Sequence, residues 1–191
     1  MARDRASRPE AKPLRLFVAV EVPEEIRAAV NEAADPLRER FSKAKWVPLG
    51  NQHVTVKFLG KTWPRLLGWV KEAVEQAAVR SEPFETTSSA LGTFPGGERA
   101  RVLWAGLGDP GGRFSALASA LDEALAREFK PEEREFMPHL TLARFDPPQA
   151  LGDLPEVSSE PFTVDRLMLY RSHLRRPAPV YEPLHELRLG S

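Results

Sequence analysis

The chain carries four histidines, His53, His139, His173 and His185, and two of them open the same tetrapeptide: HVTV at 53–56 and HLTL at 139–142. With 7 threonines in 191 residues and 42% hydrophobic residues, two such matches among four histidines have a chance probability on the order of 10⁻⁴ to 10⁻³. Each copy lies in a run of β character, where side chains at i and i+2 leave the same face. His53, Thr55 and Lys57 are therefore expected to project together, as are His139 and Thr141, while Val54, Val56, Leu140 and Leu142 point into the core. If the repeats belong to two related lobes, two imidazoles and two hydroxyls surround one cleft. Such a set suits a phosphoryl centre worked on by an acid and a base, because imidazole titrates near neutrality. Threonine hydroxyls donate to non-bridging oxygens, and Lys57 adds positive charge where the transition state gathers negative charge. Two blander readings compete: each histidine as an isolated core or turn residue, and a paired metal site. The metal site lacks a carboxylate in either tetrapeptide, which makes a poor ligand set.

Strands must carry these side chains and helices must back the strands. Leu14, Leu16, Val18, Val20 and Val22 recur at period two and read as a strand. Pro23 then reads as a first helical position with Glu24 and Glu25 in the first turn, and Ile26, Val30, Ala33, Leu37 and Phe41 follow at helical spacing. Pro36 is placed to kink or end that helix. Further helical stripes run over about 64–79, with Val70, Ala73, Val74 and Ala77, and over 113–129, with Phe114, Leu117, Leu121 and Leu125. Short β-like runs at 53–59, 83–90, 101–107, 139–145, 162–170 and 179–188 are too many for one βαβαβ sheet. Their short connections favour antiparallel pairing, so the class is α+β. The glycines of GTFPGGERA at 92–100 lack the order of a phosphate loop and read as a hairpin connection.

Lys plus Arg and Asp plus Glu are each 27, so any polyanion must be met by a local patch. Twenty of those cations are arginines, a bias that phosphate binding or a GC-rich genome would both produce. Proline, at 18 residues, is nearly twice the usual share of about 5% and is dispersed, which implies many fixed turns. The absence of cysteine excludes disulfides, thiol catalysis and Cys-based zinc sites, and fits a reducing cytoplasm. MARDRASRPEAK has no apolar segment after its basic residues, and no run approaches the 18 or so apolar residues of a membrane span. Residues 1–13, with Arg3, Arg5, Arg8 and Lys12, read as a basic solvated tail, and 14–191 as one domain.

The segments HVTVKFLG and PHLTLARF resemble those of the 2H phosphoesterase superfamily, and within it the RNA 2',3'-cyclic phosphodiesterases, also called 2'-5' RNA ligases. LRLFVAVEVP, Trp46 ahead of NQHVTVKFLG, GTFP with RVLWAGL, and LMLYRSHLRRPAPVYEPL follow in the family's order, so the resemblance covers roughly Leu14 to Glu186. It implies a bilobal α+β fold: two pseudo-symmetric lobes whose antiparallel sheets line a central cleft, with helices packed outside. It implies hydrolysis of a 2',3'-cyclic phosphate to a 2'-phosphomonoester without metal or other cofactor, with 2'-5' ligation as the reverse. On that pattern His53 matches the proton donor, His139 the proton acceptor, and Thr55 and Thr141 the phosphate-binding threonines. Arg144 matches a frequent basic residue after the second motif, although strict alternation would turn it from the His139 face. Val56 departs from the usual leucine, which touches only packing. Trp46, Phe94 and Tyr170 are candidates to stack on RNA bases, and Arg171, Arg175 and Arg176, beside His173, to meet the RNA backbone. The partner expected is RNA with cyclic phosphate ends, in the cytoplasm, with no membrane and no obligate protein partner. A phosphodiesterase for small cyclic nucleotides or nucleotide-sugar cyclic phosphates is the nearest rival. A non-catalytic RNA-binding module is the rival of another class, and intact His and Thr in both motifs argue against it.

Overall fold

The computed structural model describes residues 12–191, so the expected tail, with Arg3, Arg5 and Arg8, lies almost wholly outside the described residues. β1 (Leu14–Val20) turns Leu16, Val18 and Val20 to one face, and its other face, Phe17 and Ala19, is buried as well. α1 (Glu24–Ala33) opens with Glu24 and Glu25 at the positive end of its dipole and buries Ile26 and Val30. Pro23 caps it from outside rather than occupying its first turn. The helix ends before Pro36, whose ring and missing N–H cannot continue it, and a separate α2 (Asp35–Arg40) buries Leu37. β2 (Lys45–Trp46) and a 3₁₀ turn at Leu49–Asn51 lead into β3 (Val54–Thr62). α3 (Leu67–Val79) follows a 3₁₀ turn at Pro64–Leu66 and buries Val70, Ala73, Val74, Ala77 and Ala78.

β4 (Phe84–Thr86), β5 (Ser88–Phe94) and β6 (Ala100–Leu107) come next, and β5 and β6 pair as a hairpin around the glycine-rich connection. α4 (Arg113–Leu125) begins where the Asp109 carboxylate accepts from the backbone N–H groups of Phe114 (2.6 Å) and Ser115 (3.1 Å), which satisfies donors that the helix itself leaves free. It buries Phe114, Leu117, Leu121 and Leu125 and stops short of the expected Phe129. β7 (His139–Gln149), β8 (Phe162–Val164), β9 (Arg166–His173) and β10 (Val180–Arg188) complete the chain.

Among the described residues one eight-stranded sheet runs in the order β10-β9-β1-β3-β7-β6-β5, with β2 on β7, and β4 pairs β8 separately. Every registered neighbour is antiparallel. The eight strands are two half-sheets, because β3 and β7 share the single registered pair Val54↔Leu140. One lobe is therefore β10-β9-β1-β3 and the other β7-β6-β5 with β2, the bilobal α+β arrangement that the resemblance implied. α3 packs on β9 and β10, α4 on β3, and the two helices on each other. Phe41, at the end of α2, meets Phe145 of β7 edge-on at 5.6 Å. The buried side chains of both halves form one continuous core.

Candidate active site

Val54 and Leu140, the pair that joins the half-sheets, each follow a motif histidine and are fully buried. An antiparallel register centred there sets His53 across from Thr141 and Thr55 across from His139, on the opposite face, at the roughly 5 Å Cβ spacing of such pairs. The two histidines are held alike. Nδ1 of His53 lies 2.9 Å from the carbonyl of Asn51, and Nδ1 of His139 lies 2.7 Å from that of Met137. A carbonyl only accepts, so each Nδ1 carries the proton and each Nε2 is left to exchange protons with the cleft. His53 Nε2 accepts from the Thr55 hydroxyl at 3.0 Å. Asn51 also donates from Nδ2 to the Pro179 carbonyl at 2.8 Å, which ties the turn before His53 to the β9–β10 connection.

Alternation fails at the same place in both motifs. Val18 and Ala19 register with Lys57 and Thr55, skipping Val56, and Leu103 and Trp104 register with Ala143 and Thr141, skipping Leu142. Each skipped residue is a β-bulge, and one extra residue reverses which face every later side chain takes. The expectation that Lys57 projects beside His53 is thereby overturned. Lys57 shares the face of buried Val18, its ammonium pairs with Asp122 of α4, and it donates to the Lys130 carbonyl at 2.7 Å. The second bulge does the reverse for Arg144, which strict alternation would lose: it comes onto the His139 side and its charge is felt by both His139 and Tyr181. Phe58, 72% exposed, holds the corresponding position after the first motif.

Trp46 is a second correction. It registers with buried Ala143, its indole N–H donates to the Phe41 carbonyl at 3.1 Å, and the Arg38 guanidinium lies 4.8 Å over its ring, so it packs against α2 and not in the cleft. Arg171 is a third. It registers with Leu16 and Glu182, on the face opposite Phe17 and Tyr170, and the Glu182 carboxylate lies 3.6 Å from it and 2.7 Å from His173. Arg175 and Arg176 are exposed in the β9–β10 connection.

Phe94 and Tyr170 do reach the histidines, each within an aromatic group that the strand order places on one outer side. Beyond β3, Phe17 stacks on His53 (4.9 Å) and on Tyr170 (5.3 Å), and Tyr181 meets His53 edge-on at 5.2 Å. Beyond β7, Phe94 meets His139 edge-on at 5.2 Å and lies 5.1 Å from Trp104. Phe17, Tyr181 and Trp104 are cleft residues that the sequence reading passed over. Phe17 carried a signal, since with Leu16 and Val18 turned inward it is a large apolar side chain on the reverse face of its strand.

Burial pushes the His53 imidazole down to about 4, against the Asn51 carbonyl and the Glu21 carboxylate, which favour the cation; His139 opposes it. Burial also lowers His139, against the Met137 carbonyl and with help from Arg144. Both rings are therefore neutral in the free protein at neutral pH. Tyr170 is pushed well above its ordinary value by burial and by its 2.5 Å hydrogen bond to Glu21. A cavity of about 720 Å³ opens beside His53, walled by Glu21, Arg27, Arg166, Tyr170, Tyr181 and Glu186. No group of three or more His, Asp or Glu side chains placed to hold a metal occurs among the described residues, and no helix among them is long and apolar enough to cross a membrane.

The family model of the 2'-5' RNA ligase superfamily matches residues 22–176. An RNA 2',3'-cyclic phosphodiesterase of Methanothermobacter thermautotrophicus is 32% identical over 184 residues, covering 92% of this chain and 99% of that protein. The crystal structure of TT0787 of Thermus thermophilus superposes with a TM-score of 0.80 at 32% identity, over 93% of this chain and 98% of that one. E. coli LigT complexed with 3'-AMP superposes with a TM-score of 0.77 at 29% identity, over 94% and 100%. With its two bulged HxTx strands meeting at one residue pair, the chain belongs to the 2'-5' RNA ligase superfamily of 2H phosphoesterases.

Proposed function

We propose that this protein hydrolyses RNA 2',3'-cyclic phosphate termini to 2'-phosphomonoesters in the cytoplasm, and with a 5'-hydroxyl end in place of water carries out 2'-5' ligation with the same groups. The observation that carries the reading is the pair of Nε2 atoms left unprotonated across one cleft by matching Nδ1 hydrogen bonds, with that of His53 holding only the Thr55 hydroxyl. The names of the relatives supply the substrate class. His139 takes the proton of the attacking water, the P–O3' bond breaks in line with the attack, and His53 protonates O3'. Thr55, Thr141 and Arg144 face the non-bridging oxygens, where negative charge grows. Glu21 and Arg144 give the pair its direction, the carboxylate favouring a protonated His53 and the guanidinium a neutral His139.

Burial of His53 works against a donor role in the free protein, and the substrate reverses it. A phosphate monoanion about 4 Å from an imidazolium, at an effective dielectric of about 20, contributes about 4 kcal/mol. That is about three pK units, enough to bring His53 from about 4 to near neutrality. The proton thus settles on the pair when substrate arrives. The test is incubation of the purified protein, with EDTA, with an oligonucleotide ending in a 2',3'-cyclic phosphate, followed by end-group mapping. A 2'-phosphate is expected; 3'-phosphate alone, or turnover lost in chelator and restored by one divalent ion, refutes the reading. A mononucleotide-sized substrate keeps support from Arg171, whose pairing with Glu182 removes it from any backbone path. Equal specificity constants for a mononucleotide and an oligonucleotide cyclic phosphate at low salt would favour that alternative.

A further inference from the structure

The two aromatic groups stand on opposite outer sides of the histidine pair, because the strand order is β9-β1-β3 on one side and β7-β6-β5 on the other. In-line displacement gives those sides different occupants. The ribose that keeps O2' and loses O3' is attached to the leaving oxygen, so it lies with His53, beside Phe17, Tyr170, Tyr181 and the 720 Å³ cavity. Whatever attacks phosphorus comes from the His139 side, which is more elaborate than a water molecule needs. There the half-buried Trp104 registers with Gly92 on β5 and Thr141 on β7, and next to it Gly106 registers with His139. A Cβ at Gly92 would overlap the indole, and one at Gly106 would lie 3.1 Å from Trp104 Cζ3 and 2.8 Å from Ser89 Oγ. Two glycines thus leave room for the indole to lie flat along the sheet, next to Phe94 and 6.2 Å from the His139 ring.

We propose that the Phe94–Trp104 shelf, seated over Gly92 and Gly106, is a second nucleoside subsite that stacks the base of an incoming 5'-hydroxyl end and so sets the choice between water and an alcohol as the attacking group. The inference rests on the assignment of His53 as donor and His139 as acceptor. In the alcohol reaction the acceptor O5' bonds to phosphorus and its proton goes to His139 Nε2. The P–O3' bond breaks, and O3' takes the proton of His53. One phosphate ester bond replaces another, and no oxidant or energy-supplying co-reactant is required.

The experiment is a partition assay. An oligoribonucleotide ending in a 2',3'-cyclic phosphate is turned over with increasing adenosine, and in parallel with methanol, and the ratio of transfer product to 2'-phosphate is measured. Because it is a ratio, unfolded protein drops out of it. Trp104→Ala should lower the adenosine ratio about tenfold, the scale of one lost base stack, and leave the methanol ratio unchanged, since methanol has no base to stack. Gly92→Ala, which displaces the indole, should move the adenosine ratio the same way. Tyr181→Ala, on the other side, should slow both outcomes together and leave the ratio alone. An adenosine ratio unaffected by Trp104→Ala and Gly92→Ala, with 2'-phosphate still the hydrolytic product, overturns the subsite while the hydrolytic function stands. A ratio that answers to Tyr181→Ala instead, or a 3'-phosphate product, overturns the assignment of the two histidines and the subsite with it.

Discussion

Replacing Lys57 by Met separates a structural cation from a catalytic one. The Lys57 and Asp122 side chains are 8% and 18% exposed, so deleting the ammonium strands a nearly buried carboxylate and leaves the Lys130 carbonyl without its donor. Breaking a buried pair from one side costs about 3–5 kcal/mol. In a domain of this size each kcal/mol lowers Tm by about 2–4 °C, so a fall of roughly 6–20 °C is expected. Adding Asp122→Asn should recover at least about half of the loss, because no lone charge then remains. Urea melts followed by circular dichroism give the stability, and turnover of a 2',3'-cyclic-phosphate oligonucleotide well below the melting range gives the activity. Turnover should stay within about threefold of wild type, because the Val56 bulge has taken Lys57 off the His53 face. A Lys57→Met protein of unchanged stability whose kcat falls about 10²-fold would place the ammonium at the phosphate and refute the parity argument.

Three further outcomes follow from the same geometry. With His53 lowered to about 4 in the free protein, its acid form fills only as pH falls, so kcat/KM should already be falling as pH rises through neutrality; bound phosphate raises both imidazoles, so the alkaline limb of kcat should lie up to about three pH units above that of kcat/KM, and coincident limbs would contradict this. His53→Ala and His139→Ala should each cost about 10²-fold or more in kcat, and the double variant far less than their product, because either loss alone breaks the relay; multiplicative losses would exclude a coupled pair. Arg144→Met should lower kcat/KM by about tenfold or more while leaving stability within about 0.5 kcal/mol, since Arg144 is exposed and its side chain makes no hydrogen bond or ion pair among the described residues; unchanged kinetics would remove it from the phosphate site.

The sequence made the elements legible wherever one period ran unbroken. The stripe Phe114, Leu117, Leu121, Leu125 is the buried face of α4, and Pro36 ends α1 as its chemistry demands. The HxTx pair was legible because i, i+2 alternation holds from His53 to Thr55 and from His139 to Thr141. It failed one residue later, and the failure is physical: HVTVKF and HLTLAR contain nothing that marks Val56 or Leu142 as bulged, since a bulge is decided by the register of the neighbouring strand. That single step misplaced Lys57, and it also removes the objection that strict alternation raised against Arg144, whose matched role had rested on the resemblance alone. Trp46 and Arg171 were misplaced for the same kind of reason, because only pairing with Ala143 and Leu16 shows which face each one takes. Glycine in GTFP and in WAGL was readable as turn or strand, but the indole lying across both strands depends on their pairing.

An antiparallel pair has a local two-fold axis through its centre, and here that centre is Val54↔Leu140. The axis relates His53 to His139, Thr55 to Thr141, the Asn51 carbonyl to that of Met137, and the bulge at Val56 to the bulge at Leu142. An acid and a base that exchange roles on reversal need such equivalence, because each imidazole must give a proton in one direction and accept it in the other. What the axis does not relate supplies the polarity. Phe58 stands where the other half has Arg144, and Glu21 borders His53 while Phe94 and Trp104 border His139. The join itself is one fully buried residue pair, immediately after each histidine, and it sets the spacing of the imidazoles. Enlarging or shrinking Val54 or Leu140 should therefore disturb the two histidines together, whereas changes at Phe94 or Tyr181 reach one side of the reaction alone.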